Sequence, residues 1–408
     1  MNSGISTPIL TTAESASEFS TLEELATQFV DEYRRWLNPS IEEYAEAYPE
    51  YAEEIRGSFP VLIAMEEWKG NEEITCLKQQ IANCLKLKQL GNCDLVREMS
   101  RSRTAILFEA LQGAPRRPVV VKVMPWQSDL TPRWQDRFKR EARLTFRLKH
   151  ENIISIYTTG EDQGYSFAVM QMVKGVGLNQ VIPCLAGTAF SDKAYREQGH
   201  YNLQQIKRVA DALQQNPWKS FASIGLQVAN ALRYAHQHGT LHNDLRPENL
   251  LVNSRGDCWV TGFALPQFAE GALQQQRVLT LRNQSPERLN GEVSEQSDLY
   301  SLGMTLYELV TGRPAYSAQN SLELVEQIRD CDPPRPGELV IGLPADFETI
   351  ILNCISRSTQ QRYQTADELC VDLVRFLNGK RVRPRNCRKP AFRDRWTTFW
   401  SRRSSQFG

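Results

Sequence analysis

No stretch of the 408-residue chain approaches the 18 or more apolar residues that would span a bilayer; the longest runs, Pro60 to Met65 and Pro118 to Val121, stop far short. The N-terminus has no basic stretch leading into an apolar segment, so no secretory signal is expected and the cytoplasm is the expected compartment. The nine cysteines are scattered, odd in number and never spaced C-x-x-C, which favours neither a zinc site nor a disulfide framework. Net charge is missing as well, because 48 Lys and Arg balance 48 Asp and Glu.

What is present is the composition of a soluble globular protein, with 41% hydrophobic, 9% aromatic and 24% charged residues. Disorder along the whole length is excluded. At roughly 100 to 200 residues per domain, the length suits two or three domains, or one two-lobed domain with appendages. The neutral total is a cancellation. Residues 1–73 hold 16 acidic and 4 basic side chains, and residues 379–408 hold 10 basic and 1 acidic, so the middle of the chain is nearly neutral. That near-neutrality argues against a general nucleic-acid binder, and no nucleic-acid partner is expected.

Residues 1–20 are polar, Ser- and Thr-rich and aperiodic, and read as a disordered leader. Residues 21–90 read as an acidic helical module: Ser40 and Glu43 have capping-box spacing, and Tyr44, Tyr48, Tyr51, Ile55 and Phe59 step at helical intervals, with a break at Pro49. From residue 95 the texture changes to strands, at 105–111, 117–124, 153–159 and 166–172, with a helix over 133–149. After residue 218 it is helical, at 218–238, 297–311, 321–330, 345–357 and 365–378, the last framed by Thr365, Glu368 and Gly379. Residues 179–217 read as a long polar insertion, and 381–408 as a basic tail with aromatics. A strand-rich part followed by a helix-rich part predicts an α+β fold with a cleft between the two.

The chemistry lies in the order of short motifs. Val119-Val120-Val121-Lys122 ends a strand and Glu141 follows in a helix. His242-Asn243-Asp244-Leu245-Arg246-Pro247-Glu248-Asn249 comes next, then Ser285-Pro286-Glu287, then Ser297-Asp298-Leu299-Tyr300-Ser301-Leu302-Gly303, then Arg362. Over residues 95–380 this series resembles the eukaryotic-like bacterial Ser/Thr protein kinases. The stretch from Ser40 to Glu66, and Asp372 to Gly379 with its Arg-rich, Trp-bearing sequel, look more narrowly like planctomycete kinases. The resemblance implies a bilobal protein-kinase-like fold, with a small β-rich N-lobe (95–173) and a larger helical C-lobe (174–380), behind an N-terminal helical extension.

It also implies roles. Lys122, held by Glu141, would clamp the ATP phosphates, and Met170 and Met172 would line the nucleotide pocket. Asp244 would orient the substrate hydroxyl, Arg246 would face the γ-phosphate in place of Lys, and Asn249 would ligate Mg²⁺. His242, Phe263, Glu287, Asp298 and Arg362 would hold the scaffold.

Three departures cut against catalysis. The loop that should read G-x-G-x-x-G is Ser100-Arg101-Ser102-Arg103-Thr104-Ala105: either an anion-binding pair of arginines or an ordinary solvent-facing turn. The family's D-F-G reads Gly262-Phe263-Ala264, so the metal-binding aspartate is absent; Asp257 and Glu270 are too far along the chain to replace it. Asn243 replaces the arginine that would read a phosphate on the activation loop, where Thr280 occupies a familiar position.

ATP and Mg²⁺ are the cofactors an intact motif set would take, and the metal loses its main ligand here. Two functions stay open: a pseudokinase acting as regulator or scaffold on a protein partner, with weak or no Mg-ATP binding, and an active Ser/Thr kinase with atypical metal dependence. Residues 380–403, with ten basic side chains among Phe392, Trp396, Phe399 and Trp400, suit an anionic membrane surface, peripheral at the inner membrane, nucleic acid, or the acidic leader, or else a solvated tail.

Overall fold

The computed structural model describes residues 24–30, 40–60, 62, 86–101, 105–124, 146–187, 203–263, 281–318 and 320–383. In the N-terminal module, residues 24–30, Ile41–Ala47 and 52–60 are helical, and Pro49–Tyr51 form a 3₁₀ turn where the break was expected. Ser40 caps the second of these helices, its Oγ accepting from the backbone N–H of Glu43. The module has its own small core of Leu25, Phe29, Ala45, Ile55 and Phe59, with the Phe29 and Phe59 rings 4.5 Å apart.

The β-rich part is one six-stranded antiparallel sheet in the order β1-β2-β3-β4-β6-β5. Its strands are β1 (Gln89–Leu90), β2 (Cys93–Arg101), β3 (Ile106–Gln112), β4 (Arg117–Met124), β5 (Ile156–Asp162) and β6 (Tyr165–Gln171). The pleat of β4 sorts its residues to two faces. Val119, Val121 and Val123 pack with Phe108, Phe167 and Val169 on one face, while Val120 joins Ile154, Ile156, Ala168 and Met170 on the other. Lys122 shares the face of Val120 and stands opposite Leu107 on β3 and Ala168 on β6. The helix expected over 133–149 falls mostly outside the described residues.

The second part is helical, built on Pro217–Gln237, Glu295–Thr311, Ser321–Asp330, Ala345–Cys354 and Ala366–Leu377, within about three residues of the expected spans. Helices Glu295–Thr311 and Ala345–Cys354 meet at Gly303, where a Cβ would fall 2.4 Å from that of Cys354. The bilobal α+β protein-kinase-like fold is thus present.

The flanks of the stretch 179–217 are helices, Leu178–Leu185 and Leu203–Gln214, which bury Val181, Ile182, Ile206, Val209 and Leu213 in the main core. Gln204, Lys207, Arg208, Asp211 and Gln214 form the exposed side of the second.

A small sheet of β7 (Val176–Gly177), β8 (Leu250–Val252) and β9 (Cys258–Val260) lies beside residues 242–249, the stretch that matches the family's catalytic loop. β8 and β9 form a hairpin whose turn is organised by Asn253, its Oδ1 accepting from the N–H groups of Arg255 and Asp257. At the open end Thr261 N–H donates to Asn249 O at 2.9 Å, which sets Asn249 beside residue 262. Asp257 sits at the closed end of the hairpin.

Candidate active site

The catalytic loop is fixed from below by one buried carboxylate. Asp298 Oδ2 accepts from the backbone N–H of His242 at 2.8 Å, and Oδ1 from that of Asn243 at 2.9 Å. His236 Nε2 lies 2.9 Å from the same Oδ2. Burial opposes the charge on Asp298, but the His236 hydrogen bond and the His242 contacts hold the carboxyl below its usual range. Asn243 is left-handed at φ +66, a conformation asparagine adopts more readily than most residues.

His242 is a buried joint between two segments. Its Nδ1 accepts from Asp244 N–H at 3.1 Å, so the neutral ring carries its proton on Nε2 and donates to Thr261 O at 3.0 Å. Burial lowers the pKa of the imidazole, which favours the neutral form. The ring also packs on Phe263, centroids 4.6 Å apart.

Asp244 sits in a ring of donors. Its Oδ2 accepts from Asn249 Nδ2 at 2.8 Å and lies 3.3 Å from Arg246 Nε, while Asn249 Nδ2 also reaches the Asp244 carbonyl at 2.7 Å. Arg246 Nε is 3.8 Å from Glu248 Oε2. Across the cleft on β4, Lys122 is half-buried. Burial pushes its ammonium down to about 8, with Asp244 opposing that shift and Arg246 adding to it. Glu141, its expected partner, lies outside the described residues.

Met170 is buried with Val120, Ile154, Ile156 and Ala168, and Met172 packs against the same cluster together with Met99, Leu107, Leu251 and Trp259. These residues form an apolar shelf drawn from both lobes. A small crevice behind Met170 runs along Val260 and Thr261 to Gly262 and Phe263.

Gly262 has φ +84, the left-handed region that favours glycine. A Cβ there would fall 3.3 Å from both Cγ and Oδ1 of Asn249. Position 262 therefore faces the Asn249 amide directly, and it brings no side chain.

Glu287 and Arg362 meet in a two-pronged pair, Nη1 to Oε1 at 2.7 Å and Nη2 to Oε2 at 2.8 Å, with Ser297 Oγ donating to Oε1 at 2.8 Å. Arg362 is fully buried, its guanidinium over the Tyr300 ring. Burial works against the Glu287 charge, yet the Arg362 guanidinium beside it brings its carboxyl down to about 2.

Two features were not visible in the sequence. Arg288 Nη1 reaches Asn243 Oδ1 at 3.4 Å. Glu308 lies near Glu248 and Arg282, and burial with the Glu248 charge pushes its carboxyl up to about 7. Both depend on residues far apart in the chain, Arg288 and Asn243 by 45 positions and Glu308 and Arg282 by 26, which no local pattern encodes.

A family model of the protein kinase domain matches residues 97–374. The chain belongs to the protein kinase family. It is 30% identical over 274 residues to serine/threonine-protein kinase PknB of Mycobacterium tuberculosis, covering 65% of this chain and 39% of the relative. It is 30% identical over 305 residues to the probable serine/threonine-protein kinase PknB of Bifidobacterium longum, covering 71% and 40%. These relatives set it among the eukaryotic-like bacterial Ser/Thr kinases, and it spans about two-fifths of their length. The crystal structure of the M. tuberculosis PknI kinase domain superposes with a TM-score of 0.50 at 19% identity, over 71% of this chain and 96% of that one, a likeness of fold alone.

Protein kinases hold Mg²⁺ between the catalytic-loop asparagine and the aspartate of D-F-G. Magnesium takes oxygen ligands, usually one or two carboxylates with substrate phosphates and waters. Here position 262 supplies no side-chain oxygen, and the side-chain oxygen that faces it is Asn249 Oδ1. The carboxylate that contacts Asn249, Asp244, is also engaged by Arg246. Among the described residues no cluster of three or more His, Cys, Asp or Glu is placed to hold a metal. The residues present do not fit the family's metal.

Proposed function

We propose that this kinase-fold signalling protein is a pseudokinase, acting as a regulator or scaffold for a protein partner, with phosphotransfer slow or absent. The observation that carries this reading is Gly262, which faces Asn249 where the family has a metal-binding carboxylate. Phosphoryl transfer depends on neutralising the phosphate charge, so the loss costs several kcal/mol of barrier, or roughly a thousandfold in rate or more. The absence of glycine from Ser100 to Ala105 adds to it. The scaffold set of His242, Asp298, Glu287 and Arg362 keeps its contacts, which suits a surface maintained for binding. The resemblance of the N-terminal stretch and the domain exit favours a planctomycete-type protein. Radiolabel transfer from ATP with Mg²⁺ or Mn²⁺ to a generic protein substrate tests the reading; turnover near that of an intact family member overturns it.

The second reading is an active Ser/Thr kinase with atypical metal dependence. Asp244, still oriented by Asn249 and Arg246 opposite Lys122, favours it. It requires that Lys122→Ala and Asp244→Ala abolish a transfer that the wild type performs. No described helix is long and apolar enough to cross a membrane. We place the protein in the cytoplasm, with residues 380–403 as the segment that meets an anionic inner-membrane surface. Co-sedimentation with anionic vesicles at low and high salt tests this, and absence of binding at low salt removes it.

A further inference from the structure

The disagreement between these residues and the family's metal has a consequence for the ligand. Lys122 and Arg246 bring positive charge to the cleft; Asp244 lies near both, compensated by Arg246 at 3.3 Å and by the Asn249 amide at 2.8 Å, and Glu248 stands farther from Arg246 at 3.8 Å. The position that should add a second carboxylate is Gly262. The balance that a metal-bound triphosphate requires, carboxylates facing the metal and cations facing the phosphates, has lost its metal-facing half.

We propose that the cleft binds a nucleoside triphosphate as the free, metal-free anion, and that a divalent cation weakens this binding. The inference rests on the reading of the chain as a kinase-fold protein without the family's metal chemistry. An uncomplexed triphosphate brings its full negative charge to Lys122 and Arg246, which provide compact and forked cationic donors respectively. The base has the apolar shelf of Val120, Met170, Met172 and Leu251. Chelation by Mg²⁺ neutralises part of that charge and places a dication near Lys122 and Arg246, with the neutral Asn249 carbonyl as its one protein ligand beside position 262. Like charges at such short range oppose binding, and magnesium gives up its waters reluctantly for a site without carboxylates.

The test measures binding of a ribose-labelled fluorescent ATP to the full chain by anisotropy, in EDTA and in saturating Mg²⁺ at the same ionic strength. Saturable binding is expected in EDTA, weakened about fivefold or more by Mg²⁺, with Arg246→Gln weakening the EDTA binding about tenfold. Gly262→Asp, which restores a carboxylate facing Asn249, is expected to reverse the sign so that Mg²⁺ tightens binding. If that variant does not fold, the wild-type comparison and Arg246→Gln decide the matter. Binding that is tighter in Mg²⁺, or no binding in EDTA, overturns the inference. Radiolabel transfer measured in parallel separates the two claims: absent EDTA binding with absent transfer sinks this inference alone, whereas rapid transfer in Mg²⁺ sinks the pseudokinase reading.

Discussion

Arg288 Nη1 donates to Asn243 Oδ1 at 3.4 Å, bringing a cation to the loop position where the family carries an arginine of its own. Arg288 is half-buried; burial lowers its pKa, while the charges of Asp298 and Asp244 work the other way. The segment bearing Glu287 is therefore tied to the catalytic loop by a side chain already in place. Replacing Arg288 with Ala is expected to cost about 1–2 kcal/mol in urea denaturation. Asn243→Arg should also destabilise, because it sets two guanidinium groups together, and Arg288→Ala in that background should recover part of the loss. Simple additivity of the two changes would show that they do not interact.

The Glu287–Arg362 pair gives a sharper expectation, because Arg362 is fully buried and donates both prongs to one carboxylate. Arg362→Met leaves Glu287 uncompensated and should cost about 3–5 kcal/mol. The pair also sets an acid limit. Glu287 has its folded pKa depressed from an ordinary 4.5 to about 2, so its contribution is complete above about 4.5 and is lost as the pH falls toward 2. A shift of that size corresponds to about 3 kcal/mol, with the side chain only 14% exposed. Glu287→Gln should therefore lie well below the wild type in stability at pH 7 and approach it near pH 2. Curves that stay parallel through this window would remove the pair from the acid response.

Much of this was legible in the sequence. Lys122, Asp244, Asn249 and Gly262 stand at fixed offsets within motifs, and the hairpin β8–β9 brings the last two together because the chain between them is one tight turn. Strand β3 shows its period-two burial residue for residue. Strand β2 does not, because irregularities in pairing between Leu95 and Arg97 and between Glu98 and Ser100 break the alternation and leave Val96 exposed beside Arg97. The helix Leu203–Gln214 was masked by its glutamines, although Ile206, Val209, Ala210 and Leu213 keep helical spacing. Pro183 inside Leu178–Leu185 argued against a helix that nevertheless forms.

Gly303 tests the packing of the helical lobe. Its missing Cβ would sit 2.4 Å from Cys354 Cβ and 2.7 Å from Ile355 Cγ2, contacts no real side chain tolerates. Gly303→Ala must push the Glu295–Thr311 helix, and with it Asp298, away from Ala345–Cys354. A loss of about 1–3 kcal/mol is expected, as for other overpacked cores. Because Asp298 anchors the loop at His242 and Asn243, nucleotide binding should weaken alongside stability. Undiminished stability in this variant would mean that the two helices separate at no cost.

Lys122 is depressed from an ordinary 10.5 to about 8, so between those values the unfolded chain binds more protons than the folded one. Stability from this residue therefore rises with pH across the window, and below about 8 its burial is a standing penalty. Lys122→Met should be more stable than the wild type at pH 7, with the difference shrinking as the pH climbs from 8 toward 10.5. A pH-independent difference between the two proteins would contradict the assignment.

Glu308 predicts the opposite slope nearer neutrality. Its carboxyl is raised from an ordinary 4.5 to about 7, first by burial and then by the charge of Glu248, with Arg282 opposing. The group is protonated in the folded protein and ionised in the unfolded chain between those values, so its contribution is complete below about 4.5 and is lost as the pH rises through 7. Glu308→Gln keeps the shape of the neutral acid and removes the titration. At pH 8 the variant should be the more stable protein, and by pH 5 most of that advantage should be gone. Urea denaturation at these two pH values measures the change, and Glu248→Gln should reduce it, because the neighbouring charge would no longer hold the Glu308 proton in place.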